Sequence, residues 1–384
     1  NLALFEVTLP PSDDKEKSFK EFFSAMEQFF AGMQSISIGE NNSYKQYFTI
    51  EIAVSNDRPD IVFYVASPRD KAMLLEKHIL SFYRGARVTE VTNDYNVFAD
   101  GGAVVASRAS LSAAEVLPLK SHDEFDHDPM NAILGALSKL DKTREGAAIQ
   151  FTIMPAGDAY IKKFSKVLDK VKKGTKIKDA LDEYFEMKED LKGFFTTKKK
   201  DEEEKPKDID DKALEGINEK LRATIVLTGI RAVASAPERG RAADILSGIE
   251  SAFSQFEKPG SNSIAWKHIS DGDLDRFLHS FSFRLPNERE LLPLNFRELS
   301  TLIHFPVGAA ASPELKEGKA GTAAAPLEIA PDGIRIGINN HRGVDTEILL
   351  AEADRMRHFY VIGQTGTGKT GILMNMIRQD IERG

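Results

Sequence analysis

The run Gly363-Gln-Thr-Gly-Thr-Gly-Lys-Thr370 admits few folds around it. It matches G-x-x-x-x-G-K-[ST] at every fixed position, and such a loop functions between a strand and a helix. His358-Phe-Tyr-Val-Ile362 is a β-rich apolar run that predicts the strand leading in. Gly371 to Ile381 has the apolar periodicity of a helix leading out. Where the two meet, backbone N–H groups and the helix dipole converge on an anion. Gly363, Gln364, Thr365, Gly366, Thr367 and Gly368 are the expected phosphate cradle. Lys369 is the candidate catalytic residue, reaching the β- and γ-phosphates, and the Thr370 hydroxyl is the candidate Mg²⁺ ligand. The expected cofactors are therefore ATP and Mg²⁺.

The chain begins at Asn1 and ends at Gly384, one helix past the loop. A complete P-loop domain needs further strands to bury that helix, a Walker B acid for the metal and an acid to position water. The reading expects these in a longer parent, beyond residue 384. It expects the 384-residue chain alone to hydrolyse no ATP.

Composition narrows the remainder. With 384 residues, 41% of them hydrophobic, there is material for two or three buried cores. A net charge of −8 argues against a broadly basic nucleic-acid surface. Cysteine is absent, so disulfides, cysteine-ligated zinc and thiol nucleophiles are excluded, which suits a cytoplasmic chain. No apolar run reaches the roughly 18–20 residues of a membrane helix.

The first ninety or so residues read as β-α-β-β-α-β. Strands are expected at Leu2–Leu9, Tyr44–Val54, Ile61–Ala66 and Arg87–Val91. One helix, Ser18–Ala31, carries Phe19, Phe22, Phe23, Met26, Phe29 and Phe30 on an apolar face, and a second opens at Ser67-Pro68 and closes before Gly85. That order is the ferredoxin-like split βαβ.

A second copy follows with an interruption. It has a strand at Val116–Lys120, a helix started by Asp128-Pro129 and running to Leu140, and a strand around Ile149, Phe151 and Ile153. It resumes with a strand at Leu221–Ala234, a helix at about Arg239–Phe256 and a strand near Ile264 or Phe281. Between its halves lie amphipathic helices at about Ala159–Lys173 and Lys178–Phe194, then the charged tract Thr196–Lys207, expected to be a mobile linker. Asn295-Phe-Arg-Glu298 fits a capping box for a short helix. The expected fold class is α+β followed by α/β. It comprises a ferredoxin-like module at 1–110 and a second module at 111–308 with a helical insertion at about 157–220. A linker at 309–326 leads to the start of a RecA-like P-loop ATPase domain at 327–384. Short strands are expected at Ile334–Ile338 and Glu347–Leu350 ahead of the loop.

Two other clusters invite attention. His122-Asp-Glu-Phe-Asp-His127-Asp128 gathers imidazoles and carboxylates, but its spacing fits no helix face, and a polar loop ahead of a helix explains it better than a metal site. His304, before Phe305-Pro306, reads as a packed or capping histidine.

The segments Gly337–Ile348 and Asp354–Thr370 resemble the opening of the ATPase domain of HerA/FtsK-type motors. In those the loop reads G-x-T-G-[ST]-G-K-[ST] after H-x-x-[VI]-x-G, and His358-Phe-Tyr-Val-Ile-Gly363 meets that pattern. Within the group the chain is most similar to the TraD/TraG-like coupling proteins of type IV secretion and conjugation. Similar segments there correspond to Asp128–Leu140 and Leu294–Pro306. The resemblance implies a homo-hexameric, Mg·ATP-driven translocase pumping DNA, or protein-linked DNA, toward a membrane channel. It also implies type IV secretion channel and relaxosome-like proteins as partners, and a location at the inner face of the cell membrane through an anchor upstream of residue 1. Two alternatives stand beside it: a secretion-assembly ATPase that moves protein, and, for residues 1–308, a non-enzymatic docking and assembly module.

Overall fold

A computed structural model describes residues 2–9, 19–34, 47–58, 60–83, 85–141, 144–182, 211–306, 315, 325–326, 329, 332–341, 344–355, 357, 359–362, 366 and 368–383. The fold is mixed α/β, dominated by one large antiparallel sheet. The chain divides into two compact units, Asn1–Lys319 and Ala320–Gly384.

In the first unit, β1 (Leu2–Thr8), β2 (Phe48–Val54), β3 (Ile61–Pro68) and β4 (Arg87–Val91) stand in the order β4-β1-β3-β2. Helix α1 (Phe19–Gln34) connects β1 to β2, and α2 (Ala72–Phe82) connects β3 to β4. The next four strands are β5 (Ala103–Leu111), β6 (Gly146–Pro155), β7 (Ile225–Ala236) and β8 (Ile264–His268). Counted inward from their own edge they stand β8-β5-β7-β6, the same fourth-first-third-second order. The sheet is continuous because the two second strands pair antiparallel, from Phe48 opposite Ile153 to Val54 opposite Ala147. Glu51 and Gln150 face each other at the middle of that seam, the locus of an approximate two-fold relation.

The strands β2, β6 and β7 are buried almost end to end, because both faces of the sheet are covered. One face carries α1, α2, α3 (Met130–Leu137) and α6 (Arg239–Ala252), with α4 (Ala159–Lys172) and α5 (Asp211–Leu221) packed together beside them. Its core is aromatic: Phe23, Phe29, Phe30, Phe253, Phe256 and Phe305 are fully buried. Each such side chain is stabilising by about 1.5–3 kcal/mol through removal from water. The opposite face is covered by α7 (Asp271–Ser282) through Phe277 and Phe281, and by Tyr95 and Val97. A short strand, β9 (Leu292–Asn295), pairs with the first residues of β7 and leads into α8 (Phe296–Leu302).

The α7 face holds a polar row across eight strands. Thr89, Glu6, Tyr64, Glu51, Gln150, Arg231, Arg108 and Lys267 stand each directly opposite the next. Acidic residues occupy the β1–β2 side and cations the β7–β8 side.

Several sequence expectations change here. Val116–Lys120 is not a strand; Pro118 lacks the N–H a ladder requires, and Val116 and Leu119 are buried from a loop. The second set of strands opens instead at Ala103–Leu111, whose Ala and Ser content hides it. Ser67 and Pro68 belong to β3, held there by pairing with Ala3 and Leu2, and α2 starts at Ala72 after a 3₁₀ turn. Phe281 lies on α7, and the strand near Ile264 is the one that forms. Residues 177–182 are helical, while the rest of the expected helix to Phe194 and the tract Thr196–Lys207 lie outside the described residues. So does most of 309–326, although Leu315 bridges to Ile61.

In the second unit, β10 (Ile334–His341) and β11 (Val344–Leu350) form an antiparallel hairpin, and α9 (Lys369–Arg383) follows the glycine loop. Of the strand expected at His358–Ile362, the described residues Phe359–Ile362 are coil, with no ladder partner among the described residues. Among the described residues no helix is long and apolar enough to cross a membrane.

Candidate nucleotide-phosphate site

Helix α9 begins at Lys369, the seventh residue of the loop motif. Its first ladder bond runs from Ile372 N to Gly368 O at 3.0 Å, which makes Gly368 the residue that caps it. Helix geometry leaves the N–H groups of the first turn without intrahelical acceptors. Gly366 and Gly368 have φ of +88° and +89°, in the left-handed region where a Cβ is unfavourable. A Cβ at either would meet nothing within 4 Å, so conformation rather than crowding requires glycine there. Thr370 is exposed and Lys369 half-buried. Gly363, Gln364, Thr365 and Thr367 lie outside the described residues.

Polar bonds rather than a core seat the helix. The Gln379 side chain accepts from Arg335 N and donates to Arg335 O, both at 2.8 Å, so it mimics a further strand residue on β10. Arg355 grips Asp380 with both terminal nitrogens, and Arg383 donates to Gly333 O at 2.6 Å. The hydrogen bond from Arg355 holds the Asp380 carboxyl below its ordinary range. Ile372 and Met376 are half-buried, whereas Leu373, Met374, Ile377 and Ile381 are exposed.

The two clusters weighed in the sequence are structural in the first unit. Ser121 and Glu124 form a reciprocal capping box around a 3₁₀ turn. Asp128 Oδ1 accepts from Met130 N at 2.8 Å at the start of α3, and faces His304 Nε2 at 2.9 Å. The other ring nitrogen of His304 meets Ser300 O at 2.9 Å. Phe23 lies between the histidines, stacked on His122 and edge-on to His304. Burial pushes the Asp128 carboxyl up, and the His304 pair with the Met130 N–H outweighs it, so the pKa falls below the ordinary carboxylate value.

Sequence reasoning missed the charged groups of the polar row. Arg231 is buried within β7, and Glu51 is fully buried in β2. The readable signal was a charged residue inside an otherwise apolar strand, which calls for a buried partner; its partner could not be named without the register.

Comparison with curated proteins returns no match. The family model described as a domain of unknown function, DUF8128, matches residues 11–316, and the chain belongs to that family.

Proposed function

We propose that Gly363–Thr370 binds the phosphates of ATP. What carries this reading is a helix that starts at Lys369 directly after two glycines in left-handed conformations. Gly366 and Gly368 would bring the backbone against the phosphates, Lys369 would neutralise their charge, and Thr370 would offer its hydroxyl to Mg²⁺. Bound Mg·ATP would supply the phosphoryl-transfer chemistry. In the same proposal residues 327–384 are the start of a RecA-like ATPase domain, and the two βαββαβ halves of the first unit are tandem ferredoxin-like modules.

On the resemblance of Asp354–Thr370, we further propose that the protein is an ATP-dependent translocase of the conjugative coupling class. It would work as a homo-hexamer at a membrane-embedded secretion channel and move DNA or protein-linked DNA. A second reading applies to residues 1–308 alone, a docking and assembly module. It is favoured by a family match that ends at residue 316, ahead of the loop.

The test is equilibrium binding of a fluorescent ATP analogue with Mg²⁺ by the 384-residue chain. Binding weakened about tenfold or more by Lys369→Ala supports the reading, since a charge-assisted contact is worth about 1.5–3 kcal/mol. Binding indifferent to that substitution sinks it.

A further inference from the structure

The polar row on the α7 face ends in three cations on neighbouring strands, Arg231, Arg108 and Lys267. Like charges directly opposite across a ladder are destabilising, so the arrangement needs counter-charge. Arg231 has it: Nε and Nη2 donate to Glu290 at 3.2 and 3.1 Å, and Nη1 donates to Leu285 O at 2.9 Å. Arg108 reaches the same carboxylate only at 3.9 Å and leaves a third of its side chain exposed. Lys267 is exposed and has no ion pair among the described residues. One carboxylate thus serves Arg231 closely and Arg108 loosely, and Lys267 not at all.

Those two under-compensated cations open on a cleft of about 640 Å³ between β5, β8, α7 and residues 285–290. That is the size of a small-molecule site. Arg276 on α7 lines it too, its guanidinium largely in solvent. Phe277 and Leu285 give it an apolar wall. Four Arg and Lys side chains face three carboxylates there, a positive surplus in a chain of net charge −8.

We infer that this cleft binds a small phosphorylated molecule. Arg108 and Lys267 hold the phosphate group, one as a planar fork and one as a point charge. Phe277 and Leu285 receive the carbon portion. Arg231, locked by Glu290 and Leu285, is a positioning residue that fixes the floor of the site. The cleft lies wholly in the first unit and does not depend on the glycine loop of the second.

The experiment is calorimetric titration of inorganic pyrophosphate, then phenyl phosphate and inorganic phosphate, into the full chain carrying Lys369→Ala. That substitution weakens the glycine loop, and dependence of the remaining binding on Lys267 and Arg108 assigns it to the cleft, so failure here and failure of the nucleotide reading are distinguishable. Saturable, salt-sensitive pyrophosphate binding is expected, weakened about tenfold by Lys267→Gln and similarly by Arg108→Gln. The exposed Lys267→Gln variant should keep the wild-type thermal midpoint, which separates lost binding from lost folding. Phenyl phosphate should bind more tightly than inorganic phosphate, and Leu285→Ser should narrow that difference. No saturable heat, or binding unchanged in both cation variants, overturns the proposal. So does a short single-stranded oligonucleotide that binds through Arg108 and Lys267 while the small phosphates do not.

Discussion

Arg284 holds the fully buried Glu51 with two hydrogen bonds, Nε to Oε1 at 2.9 Å and Nη2 to Oε2 at 3.0 Å. One residue sits at the centre of β2 and the other just past α7, so the pair fastens that helix to the middle of the sheet. The same guanidinium donates to both oxygens of Asp94, at 2.7 and 2.8 Å. Tyr95 Oη and Gln150 Nε2 also donate to Glu51, each at 2.9 Å, and so does Thr49 Oγ1 at 3.2 Å. Arg284 adopts φ of +55°, a conformation costing a non-glycine residue about 1–2 kcal/mol. Burial opposes its charge, and Glu51 and Asp94 outweigh that effect and raise its pKa.

Replacing Arg284 with Met should therefore destabilise the first unit by about 3–5 kcal/mol, because a buried carboxylate is left without its counter-ion. Adding Glu51→Gln should recover much of that loss, since the uncompensated charge is then gone. Urea unfolding of the two variants checks it. A single variant within about 1 kcal/mol of wild type would show that the Arg284–Glu51 contact contributes little to stability.

The Asp128–His304 contact makes an acid-sensitive prediction. The Asp128 pKa is depressed in the folded state, so its contribution is present above the unfolded value and lost as pH falls through the folded one. Asp128→Asn should cost about 1–3 kcal/mol near neutral pH, through the weakened bond to a buried ring. The gap to wild type should start to narrow at about pH 4, where an unfolded aspartate takes up its proton, and close once the pH is below the depressed folded value. Parallel denaturation curves at neutral and acid pH test this; a gap that persists in acid would mean packing, not charge, is responsible.

Legibility followed the range of the information. The strands β1 to β4 and helix α1 could be read because alternation and a phenylalanine stripe are local signals. The capping box at Asn295 and Glu298 was local too, and both reciprocal bonds are present. Helix α7 went unread although Ser270 precedes a run with Leu274, Phe277, Leu278 and Phe281 at helical spacing. Strand β5 went unread because Ala and Ser carry little β preference and its stability comes from β7 and β8 on either side. The row from Thr89 to Lys267 could not be read at all, since it exists only once eight strands are in register. In the glycine loop the opposite held: the spacing alone located α9, while the strand expected before it did not follow from its apolar content.

Two glycines separate steric from conformational cost. A Cβ at Gly146, the first residue of β6, would collide with the Val97 backbone carbonyl. Gly146→Ala must displace either the strand start or residues 95–98, and a loss of about 1–3 kcal/mol is expected, as for other overpacked sites. Gly135 lies inside α3, and a Cβ there meets nothing within 4 Å. Gly135→Ala should stabilise by about 0.5–1 kcal/mol through helix propensity and a less entropic unfolded chain. Thermal unfolding midpoints should move in opposite directions, and a midpoint unchanged or raised by Gly146→Ala would refute the assignment of Gly146 as a close-approach position.

The glycine loop allows the same separation for binding. Gly368 at φ +89° and Gly371 within α9 both have open space where a Cβ would go. Only the first needs a left-handed backbone. Gly368→Ala should therefore twist the loop away from the helix N-terminus and weaken nucleotide binding by about fivefold to tenfold, from roughly 1 kcal/mol of backbone strain. Gly371→Ala should leave affinity unchanged or improve it, because alanine favours the helix whose first turn presents the N–H groups. The measurement is ATP-analogue affinity for the two variants, with circular dichroism to follow helix content. If Gly371→Ala proves the more damaging of the pair, a bound group must approach the helix closely at residue 371. The cradle would then lie over the first turn of α9 rather than in the loop before it.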